Sequence, residues 1–222
     1  MSSSHDDTDF NPGIPGASAR REYARRRANR HTRVHVRHPR LGGLLLVVQG
    51  EPEHEQAWAR GAEGEQHVAR SLAKHLDAGV VLLHDRALPD SPANIDHIAV
   101  APSGVWVIDS KRYTGKVAIR RPLFGRAKLT IAGRDQTKLI DGLAKQVARV
   151  EAQMADIALE VPVRGALCFV DAELPLLGKL TFKGYPLSYP RALAKRVNAQ
   201  GPVSRERVRA IAAQLAERFP PR

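Results

Sequence analysis

Cysteine, aromatic residues and long apolar runs are all scarce in this chain of 222 residues. The single cysteine, Cys168, excludes an intramolecular disulfide and favours a reducing, cytoplasmic compartment. It lies inside the apolar run ALCFV, and we interpret it as a small core residue. Aromatic residues make up only 5% of the chain, so stacking platforms for single strands are few.

No stretch has the length of a membrane span. The longest apolar run, LGGLLLVV at 41–48, is too short to cross a bilayer. The polar, acidic start MSSSHDDTDFNPG does not have the pattern of a secretory signal. We therefore expect a soluble protein without a transmembrane segment.

Positive charge is abundant. The chain has 35 Lys and Arg against 23 Asp and Glu, which gives a formal net charge of +12. This balance favours a polyanionic partner, nucleic acid first and an anionic membrane surface second. An Arg-rich composition inherited from a GC-rich genome is the alternative explanation.

Much of that charge lies near the N-terminus. Residues 20–40 contain nine arginines and one glutamate, and residues 1–19 have almost no periodicity. We predict a disordered, Arg-rich arm over residues 1–40. Two interpretations of this arm are open: it contacts phosphates, or it is merely a solvated tail. His31, His35 and His38 lie within residues 20–40, but no cysteine or carboxylate stands beside them, so we interpret that stretch as a basic tract and not a metal site.

The rest of the chain predicts an α/β (α+β) fold with a mixed central sheet flanked by helices. Residues 41–57 are an apolar patch and a polar connector, residues 58–170 form a core, and residues 171–222 hold a strand and helices that complete it. Within the core, apolar periodicity predicts the following elements: a helix from about Ala62 to Leu76, strands at 80–88, 95–102 and 105–113, a further strand at 114–120, a basic irregular insertion at 121–134, a helix at 137–157 and a strand at 163–170.

Charged residues interrupt two of these apolar strands. Asp96 lies inside the first strand of a predicted hairpin, and Asp109 and Lys111 lie near the end of the second. Residues two apart on a strand share a face, and the hairpin brings Asp96 to the same end. Buried carboxylates are costly unless they are paired or bind a cation. Glu65 on the preceding helix can complete an acidic set.

This set suits metal-assisted hydrolysis of a phosphodiester. Carboxylate oxygens are hard ligands for Mg²⁺, which keeps several waters and accepts phosphate oxygens. Lys111 can orient a water or hold a phosphate oxygen. The competing interpretation is structural: an Asp109–Lys111 ion pair at a strand end, with Glu65 stabilised by its helix dipole.

These residues resemble the NERD (nuclease-related domain) family, a branch of the PD-(D/E)xK nuclease superfamily. The similarity covers roughly residues 58–170 and is carried by GAEGEQHVARSL and by HDRALPDSPANIDHIAVAPSGVWVIDSKRYTGKV. The resemblance implies a restriction-endonuclease-like fold. It also implies a Mg²⁺- or Mn²⁺-dependent nuclease.

The resemblance further implies roles for individual residues. Glu65, Asp96 and Asp109 would be the acidic, metal-ligating residues, and Lys111 the catalytic lysine. Gln146 matches a glutamine on the family's later core helix, which would face the site and hold a phosphate or a water; a solvated glutamine is the alternative. Family members more often have Glu where Asp109 stands, which puts the rate and the metal geometry in doubt but not the location of the site.

For two neighbouring residues, the sequence supports a role in the site less strongly. His97 follows Asp96 and must point to the opposite strand face, so we interpret it as structural. Tyr113 shares the face of Asp109 and Lys111, where it can contact substrate or cap the sheet.

Three functions follow from these observations. The first is a metal-dependent nuclease acting on nucleic acid, with DNA as the preferred substrate and a homodimer as one way of cutting two strands. The second is a non-catalytic nucleic-acid-binding module that uses the basic arm. The third is a membrane-surface protein with LGGLLLVV as a shallow anchor.

Overall fold

The apolar runs become the strands of one mixed sheet in a computed structural model, which describes residues 10–158, 160–175 and 179–222. Six helices and eight strands lie within those residues. The helices are Ala17–Arg37 (α1), Gly42–Gln49 (α2), Glu53–His75 (α3), Lys138–Ile157 (α4), Pro190–Val197 (α5) and Arg205–Arg218 (α6). The strands are Val81–Ala87 (β1), Asn94–Ala101 (β2), Gly104–Arg120 (β3), Lys128–Ile131 (β4), Arg134–Asp135 (β5), Val163–Glu173 (β6), Thr181–Phe182 (β7) and Tyr185–Ser188 (β8).

The main sheet has the strand order β1-β2-β3-β6-β8-β7. Strands β1, β2 and β3 form an antiparallel meander, and β6 then pairs parallel with β3. A parallel neighbour requires a crossover, which α4 provides. The mixed sheet flanked by helices confirms the predicted fold class and is consistent with a restriction-endonuclease-like fold.

Alternation along the strands divides the core between two faces of the sheet. On β3, Val105 and Val107 belong to the cluster that also contains the buried residues of α4 and α6. Trp106 and Ile108 belong to the second cluster, which contains buried residues of α3 and α5. Helices therefore cover both faces. Strand β8 belongs to the same sheet, and α5 and α6 contribute buried residues to its two core clusters.

Strand β3 is longer than its sequence predicts. It runs through both predicted strands, 105–113 and 114–120, as one strand of 17 residues. The pairing with β6 shifts between Arg112 and Gly115, and Gly115 has φ 94°. Glycine accepts this backbone conformation without a Cβ clash, so the strand continues past the irregularity. The predicted irregular insertion at 121–134 contains strand β4 and the first residue of β5.

The predicted disordered arm is a helix over most of its described length. The Asp85 carboxylate accepts hydrogen bonds from the backbone N–H and the hydroxyl of Ser18, at 2.5 and 2.6 Å, in the first turn of α1. A helix N-terminus leaves N–H groups without partners, and a carboxylate satisfies them. Farther along, Arg30 donates to Glu55 on α3 at 3.1 Å, and both side chains are largely buried. Residues 1–9 of the predicted arm lie outside the described residues.

Helix α3 also begins earlier than predicted. It starts at Glu53 and not near Ala62, with Glu53 and Glu55 in its first turn. Acidic residues are favourable there because they face the positive end of the helix dipole. Most of the predicted polar connector is thus helical, and the apolar patch before it forms α2.

A buried arginine fixes the C-terminal helix to the sheet. Arg86 on β1 has no exposed surface. Its guanidinium donates to the carbonyls of Phe219 at 2.5 Å, Ala216 at 2.6 Å and Asn11 at 2.8 Å. The last carbonyls of α6 thereby gain the donors that a helix C-terminus lacks.

Among the described residues, none of the helices combines the length and the hydropathy needed to span a membrane.

Candidate active site

Asp96 and Asp109 come together where β2 and β3 leave their shared ladder. The pairing aligns His97 with Ile108, so Asp96 and Asp109 are the next residues of the two strands. Both carboxylates are buried, with 9% and 6% of the residue surface exposed. Asp96 Oδ2 accepts a hydrogen bond from the Ser110 backbone N–H at 2.8 Å. The two aspartates therefore lie side by side.

Lys111 contributes the cation of this cluster. Its ammonium donates to Asp109 Oδ1 and to the Ser110 carbonyl, the latter at 3.2 Å. Burial lowers the pKa of Lys111, but the carboxylates of Asp109 and Asp96 outweigh burial and raise it above its ordinary value. The side chain is thus charged at neutral pH.

Glu65 reaches the same place from α3. Burial raises its pKa from 4.5 to about 7, and the charge of Asp85 adds to this, whereas Lys111 and the Gly16 backbone oppose it. One carboxylate oxygen, Oε2, is buried without a hydrogen-bond partner among the described residues. Burial thus disfavours the charged form of this carboxylate.

Negative charge accumulates in this cluster. Burial raises the pKa of Asp96 well above its ordinary value, and Glu65 and Asp109 raise it further, against Lys111 and the Ser110 backbone. Two aspartates and a glutamate thus share one lysine. A bound cation would relieve the repulsion among them.

The donor set fits a cation that keeps part of its water shell. Within the described ranges, no group of three or more His, Cys, Asp or Glu residues is arranged to enclose a metal ion. Mg²⁺ is usually held by one or two carboxylates together with waters and substrate phosphates. Asp96 and Asp109 match that pattern, and the unpartnered Oε2 of Glu65 supplies a further oxygen.

A cavity of about 830 Å³ opens onto the cluster and gives a substrate access to it. Glu65, Asp96, Ser110 and Lys111 line it, as does Tyr113. Its other walls come from α1, α3, the start of β2 and the hairpin of β4 and β5. An open cavity with both polar and apolar walls beside buried carboxylates is an arrangement typical of catalytic sites.

Gln146 lies behind the cavity. Its Nε2 donates to the Asn94 carbonyl at 3.4 Å, and its Oε1 is buried without a partner among the described residues. The side chain reaches the site through β2 and is not among the residues that line the cavity. The predicted contact of Gln146 with a phosphate or a water stays a prediction.

Two histidines, the buried His97 and the half-buried His84, lie behind the aspartates, on the opposite face of the strands as alternation predicts. His97 Nε2 is 2.9 Å from Ser110 Oγ, and His97 Nδ1 is 2.9 Å from His84 Nδ1. Burial lowers the pKa of both rings, to about 4 for His84. The neutral pair holds Ser110, whose backbone N–H binds Asp96.

Sequence reasoning missed Asp85. Its carboxylate is fully buried, accepts from Ser18 and Asn94, and raises the pKa of Glu65. The signal was visible, because the pair Asp85-Arg86 interrupts the apolar strand at 80–88, as Asp96 interrupts the next one.

Comparison with known proteins confirms the resemblance. A model of the nuclease-related domain family (NERD) matches residues 60–170, which is half of the chain. No curated protein and no solved structure matches it. The matched range contains all five predicted site residues: Glu65, Asp96, Asp109, Lys111 and Gln146.

Proposed function

The chain belongs to the nuclease-related domain (NERD) family, and on that premise we propose that it is a nuclease that hydrolyses phosphodiester bonds with a divalent cation. DNA is the substrate we favour, with Mg²⁺ or Mn²⁺ as the cation. The observation that carries the proposal is the cluster of Asp96, Asp109 and Lys111: Lys111 donates to Asp109, Ser110 donates to Asp96, and Asp96 and Lys111 line one cavity.

The three carboxylates take the role of cation ligands in this proposal. Asp96 and Asp109 would hold the ion, and Glu65 would bind it directly or through a water. When bound, such an ion polarises a phosphate oxygen and lowers the pKa of a water. Gln146 would keep Asn94 and the start of β2 in place beneath the site.

Lys111 is the group that meets the reacting phosphate. Its ammonium is held by Asp109 and the Ser110 carbonyl, so it enters the reaction with little loss of side-chain freedom. A fixed positive charge there stabilises the negative charge that develops on the phosphate oxygens. Its raised pKa keeps it protonated for this purpose.

A cleavage assay with a matched pair of lysine variants tests the proposal. Plasmid, linear DNA and RNA are incubated with purified protein in Mg²⁺, Mn²⁺ or EDTA. Lys111→Met removes the charge at the site, whereas Lys116→Met removes an exposed charge from the same strand, outside the cavity. We expect metal-dependent cleavage that falls about 100-fold or more in the first variant only.

Two results would refute the catalytic role. Either no metal-dependent cleavage occurs with any substrate, or Lys111→Met cleaves as fast as the wild type, which would trace the activity to a contaminant.

A non-catalytic nucleic-acid-binding module is the second candidate. Two observations favour it: the described residues form no enclosed metal cluster, and α1 is strongly basic. It predicts binding that survives Asp109→Asn and weakens steeply with salt, without turnover under any metal condition. Homodimerisation stays a prediction under either function.

A further inference from the structure

A second cavity continues from the candidate active site towards α1. It has a volume of about 430 Å³ and shares Trp58 and Asn94 with the first cavity. One wall is the face of α1 that presents Ser18, Arg21, Glu22, Arg25 and Arg26. The two cavities therefore adjoin at Trp58 and Asn94, and together they define what we call the groove, from Glu65, Asp96 and Lys111 past Trp58 to the arginines of α1.

Positive charge predominates along the α1 side of this groove. Glu22 pairs with both Arg25, at 2.7 Å, and Arg26, at 2.5 Å, so one carboxylate serves two guanidiniums. Arg25 retains 62% of its side-chain surface exposed despite its pair. Arg21 adds a third positive charge on the same face, and its guanidinium donates to the Arg222 carbonyl. Such a surface binds polyanions.

Trp58 stands where the two cavities meet. It is 39% exposed, although the chain has only two tryptophans and the other, Trp106, is 5% exposed. The guanidinium carbon of Arg26 lies 5.5 Å from the centre of the Trp58 ring. A half-exposed indole beside arginines is a platform on which a nucleobase can stack.

We propose that this groove binds a single-stranded segment of nucleic acid, with a base stacked on Trp58 and the neighbouring phosphates on Arg21 and Arg25. The inference rests on the proposed function and names the form of its substrate. Stacking on an indole requires a base that has left its own stack, which the interior of a duplex does not offer. Ala19 lines the first cavity and Arg26 lies seven residues farther along α1, a rise of about 10 Å, so a segment of a few nucleotides spans the α1 wall of the groove.

Tryptophan fluorescence of the full chain tests the stacking in EDTA, where no cleavage interferes. Titration with oligo(dT) should quench the wild type, and Trp58→Phe should lose that quenching because only the buried Trp106 remains. Trp58→Ala should weaken binding about tenfold, measured by anisotropy of a labelled oligonucleotide, and Trp58→Phe should restore most of the affinity. A blunt duplex of equal charge should neither quench Trp58 nor respond to its replacement.

A charge-matched pair of double variants tests the arginines. Arg21→Ala/Arg25→Ala removes two charges from the groove, and Arg33→Ala/Arg37→Ala removes two exposed charges from the far half of the same helix. The first should lower the slope of log affinity against log salt by about 1.4 for oligo(dT), and the second should leave it unchanged. Circular dichroism confirms that each variant is folded.

Three results would overturn the groove: unaltered oligo(dT) affinity in folded Trp58→Ala, equal loss in both double variants, or duplex binding that quenches Trp58 as strongly as oligo(dT) does. These outcomes are separable from the fate of the proposed function. Stacking and salt effects in a chain that cleaves nothing would keep the groove and refute the nuclease. Metal-dependent cleavage that is unchanged in Trp58→Ala and in Arg21→Ala/Arg25→Ala would refute the groove and keep the nuclease.

Discussion

Replacing Glu65 with glutamine tests how far the carboxylate cluster is strained in the absence of a cation. Glu65 is 8% exposed, and burial raises its pKa from 4.5 to about 7. A carboxyl group whose pKa is higher in the folded than in the unfolded state holds its proton more tightly when folded. The stabilisation of the folded state that comes from this tighter proton binding is fully present below pH 4.5 and is lost as the pH rises through about 7.

The magnitude follows from that difference. A rise from 4.5 to about 7 corresponds to about 3 kcal/mol of stability lost between acidic and mildly alkaline pH. Glutamine has no charge to bury, so Glu65→Gln should escape this loss. The free energy of unfolding of the variant, relative to the wild type, should therefore increase by about 2 to 3 kcal/mol between pH 4.5 and pH 8.

Urea unfolding in EDTA at closely spaced pH values measures this difference. Glu63→Gln is the matched control, because Glu63 lies two residues earlier on α3, pairs with Arg112 and is 64% exposed at its side chain. It should follow the wild-type pH profile. Parallel profiles for Glu65→Gln and the wild type would refute the reasoning, since they would mean that the buried carboxylate carries no penalty for ionisation.

Two further substitutions test the packing that positions the site. Gly64→Ala would place a Cβ 2.9 Å from the Cβ of Arg112, so it should lower the free energy of unfolding by about 1 to 3 kcal/mol in chemical denaturation. Gly61→Ala, whose Cβ would meet nothing within 4 Å, is the control and should be neutral or stabilising. Equal effects of the two substitutions would contradict this contact. Arg86→Met would leave the carbonyls at the end of α6 without donors and should lower the free energy of unfolding by about 3 kcal/mol or more. Thermal unfolding of this variant close to that of the wild type would contradict the prediction, since it would show that water replaces the guanidinium.

The local part of the site could be predicted from the sequence because its residues are close together in the chain. Asp96 and Asp109 lie on adjacent strands of one hairpin, and strand alternation fixes which side chains share a face. The same alternation placed His97 on the opposite face. The amphipathic pattern of α4 and the apolar run of β6 likewise predicted that helix and that strand, whereas the parallel pairing of β6 with β3 appears only in the structure.

The role of α1 could not be predicted in the same way. Its sequence has no apolar face, and composition alone indicates disorder. The hydrogen bonds that hold its first turn come from Asp85, 67 residues from Ser18 in the sequence. Arg30 similarly depends on Glu55, 25 residues away. Interactions between such distant charges leave no periodic signal, so only the folded chain reveals them.

The docking of α1 also changes what the basic N-terminal region can do. A flexible arm adds affinity for phosphates at many positions without choosing among them. In the folded chain, Gly16 packs against α3 with φ 68°, where a Cβ would lie 2.8 Å from the Ala62 carbonyl oxygen, and the Gly16 backbone bonds to Glu65. Asp85 joins Ser18 to Asn94 at the start of β2.

The arginines of α1 are therefore held at fixed positions relative to the carboxylates, although α1 lies outside the family match at 60–170. Fixed charges hold a bound strand in one register, because the entropy of positioning them has already been lost during folding. A flexible, tethered coil cannot do this. Under the proposed function, the residues that would carry the chemistry belong to the family core, and the proposed groove along α1, in the segment before that core, would align the substrate with them.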